Sequence, residues 1–469
     1  MPFTAIVLAA GEGTRMKSRH PKVMHKVLDK PLVWWPVTAA RKAGASRIVV
    51  IIGNGAQEVK DFFAQEETST DTTPVEFVEQ KERLGTGHAV KVARDQLGTF
   101  SGPVVVLAGD TPLIKPETIQ SLVEKTKTEH DACTVLTMTP DDVAGYGRIV
   151  VDDKDYVQAI IEDKDCTPEQ RATLKECNSS IYCFCGRRLS ENIDKITNDN
   201  VQGEYYLPDM IKIFVGMGEP VGWIHCPDYH EVLGVNNRVQ LAQVTKVIQH
   251  NINEQLMLSG VSMLDPDQVW IGPEVTVGQD TTLLPQTILF GKSSVGSNCT
   301  VGPNSRLVNA QVGDGCTVDE SVIVESIVED DVNIGPRAYL RGHTHMLNGS
   351  KAGTHVELKN STVGEGSKVP HLSYIGDTVM GKNVNIGGGS ITCNYDGKHK
   401  SHTELGDHVF IGSDTMMVAP VKIGDNALVG ASSCITKDVP AGALALERNH
   451  QIIKEGWADA YWKRLEKED

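Results

Sequence analysis

The chain has no long apolar run. Nowhere in its 469 residues does a stretch approach the ~20 apolar residues that a membrane-spanning helix needs, so no membrane span is expected. Positive charge is in deficit: 45 Lys and Arg against 61 Asp and Glu leave a formal net charge of -16. Nucleic-acid binders usually carry a basic excess, so that class is set aside. Small anions are not excluded, because a local group of Lys and Arg can oppose the global charge. The ten cysteines include no Cys-x-x-Cys. Cys183 and Cys185 lie two apart, while Cys177 and Cys226 stand alone. Neither a zinc site nor a disulfide framework is expected; reduced thiols in a cytoplasm are. The apolar start, Met1-Pro2-Phe3-Thr4-Ala5-Ile6-Val7-Leu8, lacks a basic leader and runs into a Gly-rich turn. It reads as a first strand and not as a signal peptide.

What the chain does have is periodicity of different kinds in its two halves, and its length alone points to about two or three domains. In the first half, Ile6-Val7-Leu8, Ile48–Ile52, Val75–Val78 and Val104–Leu107 read as strands separated by amphipathic segments. That alternation predicts an α/β, Rossmann-like domain over 1–238 with a mainly parallel sheet, whose ligands sit at the carboxyl ends of the strands. From 239 to 260, Val239, Leu241, Val244, Val247, Ile248, Ile252 and Leu256 follow helical spacing with no Gly or Pro before 260. This predicts a connecting helix roughly 30 Å long.

Over 261–469 an aliphatic residue recurs every six positions. Ile271, Val277, Leu283, Leu289, Val295, Val301 and Leu307 form one run. Val322, Val328, Ile334 and Leu340 form a second, and Val363, Val369 and Ile375 a third. Leu405, Ile411, Met417, Ile423, Val429 and Ile435 form a fourth. Glycine often follows the aliphatic residue, as in Ile271-Gly272 and Ile411-Gly412. Such self-similarity predicts a hexapeptide β-helix: one aliphatic per repeat fills the axis, and the next residue sits at a crowded corner. Breaks near 342–353 and 395–403 predict loops that leave the coil, and 457–469 reads as a terminal helix or flexible end.

Chemistry-bearing motifs adjoin the ends of the strands in the first half. Gly11-Glu12-Gly13-Thr14-Arg15 follows a strand, where glycines let backbone N–H groups approach a phosphate. It departs from the dinucleotide Gly-x-Gly-x-x-Gly fingerprint, because position 16 is Met, and it lacks the Walker Gly-Lys-Ser/Thr ending. Arg15 and Lys22 add positive charge. Asp110, at the end of an apolar strand in Gly109-Asp110-Thr111-Pro112, is suited to a magnesium ion beside a phosphate loop. A second Gly-rich turn, Leu84-Gly85-Thr86-Gly87-His88, follows Gln80.

The whole string Leu8-Ala9-Ala10-Gly11-x-Gly-Thr-Arg-Met16, with Pro21-Lys22 beyond it, resembles the signature of sugar-phosphate nucleotidyltransferases. Gly145-Tyr146-Gly147-Arg148, Glu162, Asn178, Gly203-Glu204-Tyr205-Tyr206 and Gly234-Val235-Asn236-Asn237 extend the likeness. Together with the hexapeptide half, nearly the whole chain resembles the bifunctional N-acetylglucosamine-1-phosphate uridyltransferase/glucosamine-1-phosphate N-acetyltransferase family. The resemblance implies that Asp110 and Asn236 hold Mg²⁺. It implies that Leu8, Ala9, Ala10, Gly11, Lys22, Gln80, Gly85 and Thr86 hold UTP, that Gly147, Glu162 and Asn178 hold the sugar, and that Arg15 and Lys22 neutralise phosphate charge. The chain departs from the family at Ala108, Ser180 and Pro208, where Tyr, Gly and Thr are usual.

The second half carries its own polar cluster: Arg341, Lys359, His371-Leu372-Ser373-Tyr374, Asn385, Gly387-Gly388-Gly389 and Asn394-Tyr395. It resembles the acetyltransferase half of the same family. By that likeness His371 is the general base, since a neutral imidazole can take the proton of a sugar amine. Arg341 and Lys359 then hold the sugar phosphate, and Tyr374 and Asn385 the sugar. Gly388, Asn394, Tyr395, Ser413, Ala431 and Arg448 line the acetyl-CoA groove. The family usually has Pro-Gly after Arg341 where this chain has Gly342-His343, and often a small residue other than Gly at 388. His343 and His345, two apart with no acidic neighbour in sequence, make a poor metal pair. The resemblance further implies a cytoplasmic, bacterial homotrimer. A monofunctional nucleotidyltransferase with a structural β-helix is disfavoured by His371, Lys359, Asn385 and Asn394. A non-catalytic subunit of the same architecture is disfavoured by Arg15, Lys22, Asp110 and Asn236.

Overall fold

The computed structural model describes residues 2–53, 55–66, 73–200, 202–447 and 450–466. The chain forms two compact units, Met1–Ile248 and Gln249–Asp469. The division falls inside the helix Arg238–Leu258, the element expected at 239–260.

In the first unit, the strand order across the sheet is Val221–His225, Cys133–Met138, Cys177–Cys185, Pro103–Ala108, Thr4–Ala9, Arg47–Ile52, Val75–Glu79. Along that order pairing is parallel except at Cys177–Cys185, which runs antiparallel to both neighbours. Two further strands, Arg148–Val151 and Val157–Ile161, pair antiparallel with each other, and the first of them with Cys177–Cys185. Alternate residues of each strand feed opposite faces. Ala5, Val7, Val50, Val105 and Leu107 enter a core covered by helices Trp34–Lys42 and Pro116–Thr128. Ile6, Val49, Ile51 and Val106 enter one covered by Thr86–Leu97 and Asp209–Gly216. Both faces being dry explains why these strands read as unbroken apolar runs. Each fully buried Val or Ile contributes about 1.5–3 kcal/mol of transfer free energy, which fixes the register that brings the strand ends together.

The second unit is a left-handed parallel β-helix with three sides. Three parallel sheets run along it, and each strand pairs with the strands one coil before and after. Trp270–Ile271 pairs with Ile288–Phe290, which pairs with Arg306–Val308. Ile271, Leu283, Leu289, Val295, Val301 and Leu307 are buried in one continuous axial core. At some corners there is no space for a side chain: a Cβ on Gly296 would lie 2.3 Å from Asp314 Oδ1 and 2.6 Å from the Gly313 carbonyl.

Two expectations about this unit need correction. The inward residue of the second run is Ile323 and not Val322, which stays partly exposed. The cause is that some sides contain five residues, so that Val318, Ile323 and Val328 succeed one another at spacing five. Residues 342–353 do not leave the coil. His345–Met346 and Lys351–Thr354 pair with the coils on both sides, and Met346 and Ala352 fill the inward positions. The repeat persists there without a branched aliphatic to reveal it. The excursion at 395–403 is present, closed by a bridge between Tyr395 and Lys400. The tail forms the helix Trp457–Leu465.

Candidate active sites

The cleft of the first unit opens where the parallel strands end. Its volume is about 1380 Å³, and its lining includes Leu8, Ala10, Gly11, Gln80, Gly85, Thr86, Ala108 and Glu162. Period-two alternation turns the Ala9 side chain into the core, so only its backbone is free to face a ligand. Gln80 is buried; its amide donates to the Gly85 carbonyl at 3.0 Å and lies 3.0 Å from His88 Nδ1, which ties the two halves of the second Gly-rich turn. Gly85 has a φ of 102° and sits against Tyr205, a conformation and a clearance that require glycine. The Thr86 hydroxyl accepts from the Leu207 N–H at 3.0 Å. On another wall, a Cβ on Gly147 would sit 3.7 Å from Glu162 Oε1 and 3.8 Å from Asn178 Cβ, so these three expected sugar contacts are gathered.

The charged groups meet although they are far apart in sequence. Arg15 Nη2 donates to Asn236 Oδ1 at 2.7 Å, and Lys22 Nζ donates to the same oxygen at 3.0 Å. Lys22 also forms an ion pair with Asp110. The Val235 N–H donates to the Asp110 carbonyl at 2.9 Å, which locks the two loops together. An acidic and an amide oxygen thus converge on one position, and the Lys22 ammonium already holds positive charge there. Two hard oxygen donors with room for phosphate oxygens fit Mg²⁺, which keeps few protein ligands. Among the described residues no group of three or more His, Cys, Asp or Glu could hold a metal.

In the β-helix, register builds the site. Arg341 pairs with Lys359 one coil on, and Glu357 with Tyr374. Arg341 donates from Nε and Nη2 to Glu357 Oε1 at 2.9 and 2.6 Å, and this carboxylate raises the guanidinium pKa. His371 lies on an adjoining corner; a Cβ on Gly388 would fall 3.3 Å from His371 Cβ. Gly388, Ser413 and Ala431 continue along that corner in successive coils: the Gly388 carbonyl accepts from Asp414 N–H and the Ser413 carbonyl from Ser432 N–H, each at 2.8 Å. Asn385 belongs to the eleven-stranded sheet and Tyr374 to the ten-stranded one, so one chain presents them on different faces. Asn394 approaches Tyr374, with Nδ2 3.4 Å from the phenol oxygen. Tyr395 is exposed, its hydroxyl donating to the Gly397 carbonyl at 2.6 Å. Arg448 lies outside the described residues. His345 does have an acidic neighbour in space, Glu329 Oε1 at 2.9 Å from its Nε2.

The MobA-like NTP transferase domain profile matches residues 5–201. Profiles of the bacterial transferase hexapeptide and of the hexapeptide repeat of succinyl-transferase match 402–437 and 293–325. The bifunctional protein GlmU of Caldanaerobacter subterraneus subsp. tengcongensis is 46% identical over 98% of this chain and 99% of its own. That of Listeria monocytogenes serotype 4a is 44% identical over 97% of each. The chain belongs to the GlmU family. As a member, it is a bifunctional transferase, with a nucleotidyltransferase half and a hexapeptide N-acetyltransferase half. Among the described residues no helix is long and apolar enough to cross a membrane.

Sequence reasoning about this GlmU chain missed two positioning groups. Gln240 Oε1 accepts from the Asn236 N–H at 2.7 Å; the Asn-x-x-Gln spacing at 237–240, a helix-start signature, was the available signal. Asp377 contacts Lys359, Asn360 and Asn394. It carries no sequence signal, because its partners lie in other coils.

Proposed function

We propose that the second unit transfers acetyl from acetyl-CoA to glucosamine 1-phosphate, and that the first unit then transfers uridylyl from UTP to the resulting N-acetylglucosamine 1-phosphate, releasing pyrophosphate. The observation that carries the first half is the convergence of Arg15, Lys22, Asp110 and Asn236 at the end of the strands that line the cleft. A phosphate oxygen of the sugar attacks the α-phosphorus of UTP and pyrophosphate leaves, so no covalent nucleophile is needed. Backbone N–H groups at Gly11 and the cations of Arg15 and Lys22 hold the polyphosphate and offset the charge that builds on it. Asp110 and Asn236 would hold Mg²⁺, which when bound supplies Lewis-acid neutralisation of phosphate oxygens. Gly147, Glu162 and Asn178 orient the sugar.

In the acetyl transfer, His371 removes a proton from the amine, the nitrogen attacks the thioester carbonyl, and the CoA thiolate leaves and is protonated. The Gly387 and Gly389 N–H groups are engaged within the coil, so the Gly388 N–H between them would stabilise the oxyanion. Arg341 and Lys359 hold the sugar phosphate, with Tyr374 and Asn385 on the sugar. Gly388, Asn394, Tyr395, Ser413, Ala431 and Arg448 hold acetyl-CoA. The domains 1–238 and 261–469 carry one activity each, joined by the helix of 239–260. A cytoplasmic location accords with ten free thiols.

A homotrimer accords with Phe410, Leu428 and Leu444, which stack in register on one side of the β-helix and are 45–62% exposed. Light scattering tests it, and a monomer at micromolar concentration contradicts it. The activity is tested by assaying both transfers separately on glucosamine 1-phosphate and its N-acetyl form, with UTP against other nucleotides. Failure to make either product with saturating substrates and Mg²⁺ defeats the reading.

A further inference from the structure

Asp377 follows the strand Tyr374–Gly376, at a corner with φ 49°. It is 3% exposed, and its carboxylate is the meeting point of three coils. Lys359 Nζ lies 2.8 and 2.9 Å from its two oxygens. Asn360 Nδ2 donates to Oδ1 at 2.6 Å, and Asn394 Nδ2 donates to Oδ2. The Asp377 backbone is fixed as well, its N–H donating to the Lys359 carbonyl at 2.9 Å and its carbonyl accepting from Thr403 N–H at 3.2 Å. Burial alone would raise the carboxyl pKa, but the hydrogen bonds from Asn360, Lys359 and Asn394 outweigh it and hold the group below the usual carboxylate range.

The donor inventory of the two neighbours decides what this does. An ammonium has three N–H donors. Lys359 directs two of them at the Asp377 oxygens; the third is left over, with the Lys400 side chain close beside the ammonium. A side-chain amide has two N–H donors and a carbonyl acceptor. Asn394 points its nitrogen at Asp377 and at the Tyr374 phenol. Its carbonyl oxygen is therefore the group left to face outward.

We propose that Asp377 is a positioning residue shared by both acetyl-transfer substrates: it aims the remaining Lys359 proton at the sugar phosphate, and it turns the Asn394 carbonyl outward to accept an amide N–H of acetyl-CoA. This rests on the acetyltransferase reading above. A flexible lysine stem loses rotamer freedom when it is fixed, and a carboxylate that fixes it before substrate arrives removes that cost from binding. One buried charge thus prepares two subsites, which also meet where Asn394 Nδ2 approaches the Tyr374 phenol.

The experiment is steady-state acetyl transfer by the full chain carrying Asp377→Asn, with both substrates varied, uridylyl transfer measured on the same preparation, and a thermal melt. The expected result is a rise of about tenfold in KM for glucosamine 1-phosphate and for acetyl-CoA together, with a smaller change in kcat and uridylyl transfer within twofold of wild type. Both KM values staying within twofold of wild type, or a rise in only one of them, overturns the proposal. Asn394→Leu is the second variant, and it decides the question if Asp377→Asn melts early. Asp377 still holds Lys359 there, so the KM for acetyl-CoA should rise about tenfold while that for the sugar phosphate stays within twofold; no rise, or an equal rise in both, counts against Asp377. A wild-type chain that transfers no acetyl group removes the underlying reading, and this inference with it.

Discussion

The two sites of this chain are assembled by opposite means. In the α/β unit, the groups that meet are remote in sequence: Arg15 and Asn236 are 221 residues apart, and Lys22 and Asn236 214. In the β-helix, the contacts are near-neighbour ones. Arg341 and Glu357 are 16 apart, Lys359 and Asp377 18, Tyr374 and Asn394 20. The first site exists only when the whole sheet has closed. The second is written by coil register, so that a side chain and its partner are one coil apart whatever the rest of the chain does. The lesson concerns vulnerability: the first site should be sensitive to anything that shifts a strand, the second to anything that shifts a coil.

Catalytic changes should break the comparison most sharply. His371→Ala should lower acetyl transfer by about a hundred- to ten-thousand-fold and leave uridylyl transfer near normal, as read by separate assays; equal loss of both would mean that the sites are not independent. Asp110→Asn should do the reverse, with uridylyl transfer reduced by about a hundredfold or more, since a charged ligand and the partner of Lys22 go together, while acetyl transfer persists. Ile411→Ala removes a fully buried side chain from the axial core, at a cost of about 2–5 kcal/mol. Differential scanning calorimetry should show the β-helix transition lowered and the α/β transition unmoved.

A smaller effect belongs to Asp131. Burial pushes its carboxyl up to about 6, with the Thr134 hydroxyl that donates to Oδ2 only partly opposing this. A carboxyl raised above its unfolded value stabilises the fold below about pH 4, and this contribution is lost as pH rises through about 6. Asp131→Asn should therefore flatten the fall in α/β-unit stability between those values, and raise stability at pH 7 by no more than about 3 kcal/mol. Urea unfolding at several pH values measures it. The smallest effect is at Ser180, a serine held at φ 65° in a bulge of Cys177–Cys185. The β-helix also places many residues other than glycine at positive φ, but its corners use Asn and Asp freely, as at Asn298, Asn304, Asn309 and Asp331, the side chains that tolerate it best. Ser180→Gly should relieve strain worth about 1 kcal/mol or less, visible as a small rise in melting temperature.

The same contrast explains what could be read in advance. The α/β unit announced its strands through apolar runs and its cleft through Gly-rich turns, because the backbone conformations concerned demand those residues. The reversed strand Cys177–Cys185 was silent, since a buried strand has the same composition in either direction. In the β-helix the six-residue period exposed the architecture, yet it misplaced Val322 and lost the coil at 342–353, where Met346 and Ala352 substitute for branched aliphatics. Lys359 and Asn394 were recognisable by resemblance. The carboxylate between them was not, because a lone Asp at a corner looks like any other turn residue.

The stacking of successive coils has one more consequence. Residue 288 meets 270 and residue 306 meets 288, an advance of 18 that shortens to 16 where residue 322 meets 306. The β-helix is thus a measuring rod graduated in coils, and its length is independent of what it carries. A coil duplicated between Ile288 and Arg306 would lengthen the rod by one graduation and leave every contact from Arg341 onward intact. Distance along the rod and chemistry upon it are separately adjustable properties of one sequence.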